Sequence, residues 1–565
     1  MKRIKTWEIV SITALTILFL IFASINMGSV EMPSSCWQPM LAGEEENQVV
    51  FDFGSVQQIK EIYIFLADAK RTKFDLYGGT PPDNWNPLSS YDNDPAKDVH
   101  FCKWDNRIKL GNKSIRFLKF VFEPESEGKI GEILVISAEN KMIVPVEVSG
   151  ENATRLADEQ DVIKLPITQK YGAYFDEMYF VRTAQEHLNL EDPYETTHPP
   201  LGKLIIASGI LCFGMNPFGW RIFGVFAAAV MIPIMFLFGK RMFKSSVAGF
   251  FAAFLLTFDF MHFSLARLAT GEIYILLFSF LMFFFAFDYF SKQEEEEEDK
   301  GKKGASSSLF ISIIFFGLCF AVKWTAIYGL VAILILLLVS NSRNKKPIFS
   351  DYKIVLAGLF VSAAIYIASY TPYMFSGGGH GLLDIFNLQL GIFGYHAMLD
   401  ATHPFSSPWW SWPLMLKPLW IYSNALDGTV STIVLMGNPA IWWCSIPALV
   451  LIAAKFVRDK MRGKSGDYVS LFILIPFLLL WLPYTLISRI LFIYHFTPEL
   501  PFMIFAITYW LHALWYKKIV VTRILTISFL IFTAFLFFLF YPVISGYPVA
   551  YEYKESLRWL SGWIF

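Results

Sequence analysis

Apolar stretches of about twenty residues recur along most of this chain, and that feature restricts it to a life in a lipid bilayer. The sequence is 55% hydrophobic, with 56 Phe among 565 residues, which a soluble core has no means of burying. Inside hydrocarbon each backbone N–H and C=O must be satisfied within its own segment, so the stretches read as helices. A net charge of −1 leaves no global basic field, so nothing points to nucleic acid as a partner.

Charge between the stretches sets their direction. The loops at 240–244, 292–303, 341–353, 455–464 and 517–523 are all rich in Lys or Arg and are therefore expected on the cytoplasmic side. The tract 292–303 also holds five consecutive Glu and reads as a solvated, disordered linker. The first stretch, 7–27, follows Lys2, Arg3 and Lys5. It reads as an anchor with a cytoplasmic N-terminus, since no small-x-small cleavage site follows it. The run 201–213 is only about 13 residues, and counting it as a span would turn every later basic loop outward. It is expected to lie at the outer interface.

Spans are then expected near 7–27, 219–239, 246–263, 272–290, 308–322, 325–340, 354–371, 440–455, 468–486, 490–511 and 522–541, about eleven in all. The chain divides into an anchor (1–28), a β-rich region (33–165), an external loop with the interfacial helix (166–218), a membrane core (219–371), a large external loop (372–439), C-terminal spans (440–541) and an external tail (542–565).

Residues 33–165 differ from the rest. Short alternating runs, such as Ile62-Tyr63-Ile64-Phe65-Leu66 and Ile115-Arg116-Phe117-Leu118-Lys119-Phe120, are separated by Gly, Asn, Asp and Pro clusters. That spacing predicts an antiparallel β-sandwich. Phe51-Asp52-Phe53-Gly54 followed by Ile59-Lys60-Glu61-Ile62 resembles the discoidin-like carbohydrate-binding sandwiches. Cys36 and Cys102 fall in this external region and are candidates for a disulfide. Asp92-Asn93-Asp94 matches a metal-binding D-x-D pattern but precedes Pro95 among turn residues, and reads as a turn.

Chemistry-bearing residues gather where the topology puts the outer face. Asp176-Glu177 sits among aromatics just after the β region. A carboxylate there is suited to taking a proton from an acceptor hydroxyl; the plainer alternative is a helix N-terminal charge pair. His198-Pro199-Pro200-Leu201-Gly202-Lys203 opens the interfacial helix, as a phosphate-facing pair or as a proline start with a snorkelling lysine. Arg221, Arg267, Glu272, Lys323 and Arg489 stand at outer span ends, against the charge bias, and are functional candidates for that reason. Arginine suits bidentate phosphate binding, although some of these groups must simply pair with Glu272 or cap helices. The loop 372–439 holds His403-Pro404-Phe405-Ser406-Ser407-Pro408-Trp409-Trp410-Ser411-Trp412, whose tryptophans fit an interfacial belt or stacking on a sugar face.

Read in order, Phe175-Asp176-Glu177, His198-Pro199-Pro200-Leu201-Gly202-Lys203, Asn216-Pro217-Phe218-Gly219-Trp220-Arg221, Arg267-Leu268-Ala269-Thr270-Gly271-Glu272, Val322-Lys323-Trp324, Ser407-Pro408-Trp409-Trp410-Ser411-Trp412, Gly437-Asn438-Pro439 and Tyr494-His495-Phe496-Thr497-Pro498-Glu499 resemble the protein O-mannosyltransferase family. The resemblance spans about 170 to 510. It implies a GT-C fold, an α-helical polytopic membrane protein carrying here an inserted all-β external sandwich. It also implies inverting transfer of mannose or a related hexose from a polyprenyl-phosphate donor to Ser or Thr of a secreted or membrane protein. Asp176 would be the base and Glu177 its neighbour; Arg221, Lys323, Lys203 and His198 would serve the donor phosphate; Arg267, Glu272, His403 and Arg489 would support the site. No metal or other cofactor is expected, and a homo-oligomer is left open. The alternatives are a GT-C transferase for a lipid or cell-wall glycan, and a transporter or flippase for a lipid-linked sugar. Two departures leave the acceptor open: the β region stands where typical members have a short stretch, and 372–439 has no room for the MIR domain of the eukaryotic enzymes.

Overall fold

Because a helix alone can satisfy its own backbone in lipid, each apolar stretch should be helical, and the computed structural model has a helix in every one. It describes residues 5–39, 47–80, 84–298, 304–464 and 467–565. Among them, eight helices are long and apolar enough to cross a membrane. Ser246–Thr257 and Phe260–Ala266 form a further candidate, bent by 58°. Ala305–Phe320 is apolar but shorter, and the stretch at 490–511 begins as a 3-10 turn, Ile493–Glu499, before the helix Leu500–Trp515. The interfacial segment forms the helix Leu201–Phe213.

Two ends of the bundle differ in kind. At one, Lys240 pairs with Glu8 at 2.8 Å, Lys292 pairs with Asp288 at 2.6 Å, and Arg241 also reaches Asp288. This end carries the basic loops. At the other end lie the residues around Asp176, at the start of Pro217–Met242, the start of Glu272–Glu298 and the break between Ala305–Phe320 and Ala326–Arg343. The acidic tract departs from the expected linker: the helix Glu272–Glu298 runs into it, as suits Glu in a helix supported by the Asp288–Lys292 pair. Residues 299–303 of the tract lie outside the described residues.

The strands of the β region hydrogen-bond as one antiparallel sheet, whose long strands bend so that it folds over its own core. Its strands are β1 (Gln48–Leu66), β2 (Thr72–Gly79), β3 (Asn86–Asn93), β4 (Lys103–Phe122), β5 (Ile130–Ser137), β6 (Met142–Ile143) and β7 (Glu147–Ser149), in the order β3-β2-β4-β1-β5-β6 with β7 also on β1. The register of β1 against β4 shifts between Asp52 and Gln57 and again between Ile59 and Glu61. Bulges of this kind bend long strands, so one sheet gathers Phe51, Ile62, Phe74, Phe120 and Val135 into a single core. The opposite face of β1 and β5 presents Tyr63, Leu134 and Ile136 to Ile163, Ile167 and Leu426. That contact seats the sheet on the segment that follows it and on the large external loop. The proposed turn at Asp92 is the end of β3, where Arg71 Nη2 binds the Asp92 carboxylate at 2.9 Å. Cys36 and Cys102 are separate thiols, the latter buried with its Sγ 3.6 Å from the Ala67 carbonyl oxygen.

The region 372–439 is structured. It contains the helix Leu382–Met398 and a hairpin of β8 (Leu419–Leu426) and β9 (Thr429–Leu435). Asp427 and Gly428 both have positive φ, at 53° and 72°, the turn that matches the natural strand twist. A short strand β10 (Val549–Ala550) adds to β9, leaving β8 at the sheet's edge.

Candidate active site

Adjacent carboxylates on one chain are sent in opposite directions here. Phe175 has φ of +52°, a left-handed conformation rare for a large side chain, and Asp176 directly precedes the helix Glu177–Asn189. The turn leaves Asp176 partly open to a cavity and puts Glu177, which has no exposure, into the core. There Glu177 Oε1 accepts from Arg221 Nε at 2.8 Å and from the Ala269 amide at 2.9 Å. Its Oε2 accepts from Arg221 Nη2 at 2.6 Å.

Arg221 completes this anchor. Nη1 donates to the carbonyls of Met27 (2.7 Å) and Gln169 (2.9 Å), and Nη2 also donates to Gly172 (2.7 Å). A guanidinium has five hydrogens, and these bonds use all of them. The sequence-based expectation that Arg221 holds the donor phosphate is therefore corrected. Fully buried and fully bonded, it ties the first helix, the 169–172 segment and the 267–271 loop around Glu177.

The cavity beside Asp176 has a volume of about 320 Å³ and brings together His198, Glu272, Lys323, His403 and Arg489 from distant parts of the chain. Lys323 Nζ donates to Glu272 Oε1 at 2.6 Å across two span ends. Arg489, half-buried in the cavity wall, has no hydrogen bond or ion pair with any described residue. All five of its guanidinium hydrogens are thus open to a ligand, while Lys323 has one of three engaged. Asp176 titrates high, pushed up to about 7 by burial first and by the nearby Glu272 charge second, against the pull of Lys323.

The other expected residues are placed as follows. Lys203 is buried and does not touch this cavity; its Nζ donates to the carbonyls of Glu195 and His198, each at 2.8 Å, and to the Glu195 carboxylate. It holds the His198 loop in shape. His198 lines the cavity with its Nδ1 3.1 Å from Glu195. Arg267 is buried outside the cavity wall, donating through Nη2 to Ile25 O at 2.8 Å. The tryptophans at 409–412 pack elsewhere: Trp412 stacks on His495 at 6.0 Å, and none of the three lines the cavity.

Sequence reasoning missed Tyr395 and His396, which line the cavity from the helix Leu382–Met398. His396 Nε2 sits 2.9 Å from Thr197 O while its Nδ1 is buried without a partner, and burial lowers its pKa to about 4. The signal was present in the run Leu382-Leu383-Asp384-Ile385-Phe386, with apolar residues continuing to Met398 and no proline to break a helix.

A bundle of apolar helices with an acid, an unpaired arginine and a lysine around one cavity, beneath a β-sheet cap, is a polytopic membrane protein with a candidate catalytic site, and its likeness to solved structures places it in the GT-C fold class. Residues 197–370 match the family described as dolichyl-phosphate-mannose-protein mannosyltransferase, and 382–563 match the C-terminal four TMM region of protein-O-mannosyltransferase. The chain belongs to the protein O-mannosyltransferase family. It is 24% identical over 462 residues to the polyprenol-phosphate-mannose–protein mannosyltransferase of Mycobacterium tuberculosis, covering 69% of this chain and 86% of that protein. The enzyme of that name from Corynebacterium glutamicum is 23% identical over 434 residues, 65% of this chain and 81% of its own. Among solved structures, the Saccharomyces cerevisiae protein O-mannosyltransferase Pmt1-Pmt2 complex bound to the sugar donor has the same fold. Its TM-score is 0.60 at 14% identity, over 69% of this chain and 89% of that one. Residues 1–196, with the β-sheet region, lie outside both family matches.

Proposed function

We propose that this enzyme transfers mannose from a polyprenyl-phosphate carrier to Ser or Thr hydroxyls of secreted or membrane proteins, with inversion, on the side facing away from the cytoplasm. The observation that carries the reading is that Asp176 and the unpartnered Arg489 face one cavity, at the bundle end opposite the Lys/Arg-rich loops. That sidedness gives a cytoplasmic N-terminus and an outer C-terminus across eleven spans.

Asp176 takes the proton of the acceptor hydroxyl as its oxygen attacks the anomeric carbon. The bond from that carbon to the phosphate oxygen breaks on the opposite face, and the phosphate leaves with the bonding pair. Arg489, with Lys323 beside it, stabilises the negative charge that grows there, as preorganised cations do in a site closed to bulk water. The reaction is read as metal-free because these two side chains supply the positive charge needed. The test is to incubate the detergent-purified protein with labelled polyprenyl-phosphate mannose and a Ser/Thr-rich peptide. Label should appear on peptide hydroxyls with the anomeric configuration opposite to the donor's. Label released only as free mannose, or carried only onto lipid, would reject the assignment.

Arg489→Gln should lower kcat/KM for the donor by about 10- to 100-fold, the range for losing charged hydrogen bonds, while the peptide KM stays unchanged. An unchanged donor constant would remove Arg489 from the phosphate site.

A further inference from the structure

A second cavity, of about 350 Å³, lies between the β-sheet region, the segment 167–175 and the strand β8 of the large external loop. Phe175 lines both it and the cavity beside Asp176, so the two adjoin at the strained turn that aims the base. Its floor and walls come from the stretch Lys103–Arg107 of β4, from 167–175, and from the stretch 421–424 of β8.

Two strand edges without a second strand partner border this cleft, although at the β4 edge Cys102 O already accepts from Ala173 N–H (2.7 Å) and Arg107 N–H donates to Asp105 Oδ1 (3.0 Å). β8 is the outer strand of its sheet, so one side of its backbone has no strand partner. On β4, residues 103–105 pair with β1 alone, because β2 reaches only residues 117–122. Unpaired strand edges are the template onto which extended polypeptides add. The side chains around them suit a neutral guest. Asp105 is held by Arg107 at 2.7 Å and Asp98 by His100 at 2.9 Å, so the charges are largely matched within the protein. Tyr63, Trp104 and Tyr422 add apolar faces, while Asn106 donates to Asn424 Oδ1 at 3.2 Å and Asn424 Nδ2 donates to Ile167 O at 2.8 Å, so the cleft's amides are matched within the protein as well. The Lys103 side chain makes no hydrogen bond or ion pair with any described residue and is half-buried, leaving its ammonium free for a carbonyl oxygen. A cleft for a phosphate or an acidic glycan would need excess positive charge that this one lacks.

We propose that this cleft binds the acceptor as an extended, largely uncharged polypeptide along the edges of β4 and β8, delivering its Ser or Thr past Phe175 to Asp176. The β-sheet region thereby selects acceptors. The inference rests on the transferase reading above, and its test separates the two.

The full-length protein in detergent is incubated with a Ser/Thr-rich peptide carrying a benzophenone two residues from the acceptor, then illuminated, and adducts are mapped by mass spectrometry. In parallel, Ser423→Trp fills the cleft from an exposed position, where the larger side chain does not disturb the core. Adducts should fall on residues 103–107 and 421–424. The peptide KM of Ser423→Trp should rise about tenfold or more, with kcat and donor KM near wild type, the signature of lost ground-state acceptor binding. Wild-type transfer with adducts elsewhere and an unaltered peptide KM in Ser423→Trp would overturn the cleft and leave the transferase standing. Adducts in the cleft without any mannose transfer would instead overturn the reading of function.

Discussion

Asp176→Asn should reduce mannose transfer about 10³-fold while the donor still binds, as measured by single-turnover transfer alongside equilibrium binding of labelled donor. Asparagine keeps the shape of the cavity wall and removes only the proton acceptor, and losing a general base costs about 10²- to 10⁴-fold. In the proposed mechanism the donor phosphate is held by Arg489 and Lys323, which line the same cavity and which the change leaves alone. The pH profile adds a sharper check. A base works ionised, and the Asp176 carboxyl is raised to about 7. Wild-type kcat/KM should therefore fall about tenfold per unit as pH drops below 7 and level off above it, while the residual rate of the variant stays flat. Glu272→Gln removes the negative neighbour and frees Lys323 from its pair, and both changes favour the ionised carboxylate. The acidic limb should then move to lower pH. A transfer rate retained in Asp176→Asn would assign the base to another group.

The second large effect is on folding. Arg221→Met leaves the Glu177 carboxylate buried and unpaired and strips donors from the carbonyls of Met27, Gln169 and Gly172. Breaking a buried pair by removing one partner costs about 3–5 kcal/mol, a large part of a typical stability. The variant should accumulate poorly and lose tens of per cent or more of its folded fraction in a thermal shift in detergent. Adding Glu177→Gln removes the stranded charge and should restore part of the yield. Arg221→Lys distinguishes anchoring from phosphate binding. An ammonium with three hydrogens cannot replace five, so stability should fall while the folded fraction keeps a near-wild-type donor KM. A stable Arg221→Lys protein with a raised donor KM would return Arg221 to the phosphate.

Arg221 and Arg489 show where reading a sequence stops. Both are arginines at span ends in apolar surroundings, and nothing local ranks them. Which one has hydrogens to offer depends on partners about 50 and 190 residues away in the first case, and on their absence in the second. Asp176 and Glu177 pose the same problem at closer range: neighbouring side chains leave a helix start in different directions, and which faces the cavity is decided by what packs behind. The β region was legible as strands because alternation has a short period. The strand order and the bulges that bend β1 and β4 were not, since bulges depend on cross-strand partners.

What this sequence determined by itself is the material of each segment: helices where hydrocarbon forbids an unsatisfied backbone, strands where burial alternates, and an order of motifs that marks the family. What only the tertiary structure decided is which charged groups are consumed by one another and which remain free. Hydrophobic period is a property of neighbours along the chain, whereas the pairing of a buried charge is settled by residues that meet only after folding.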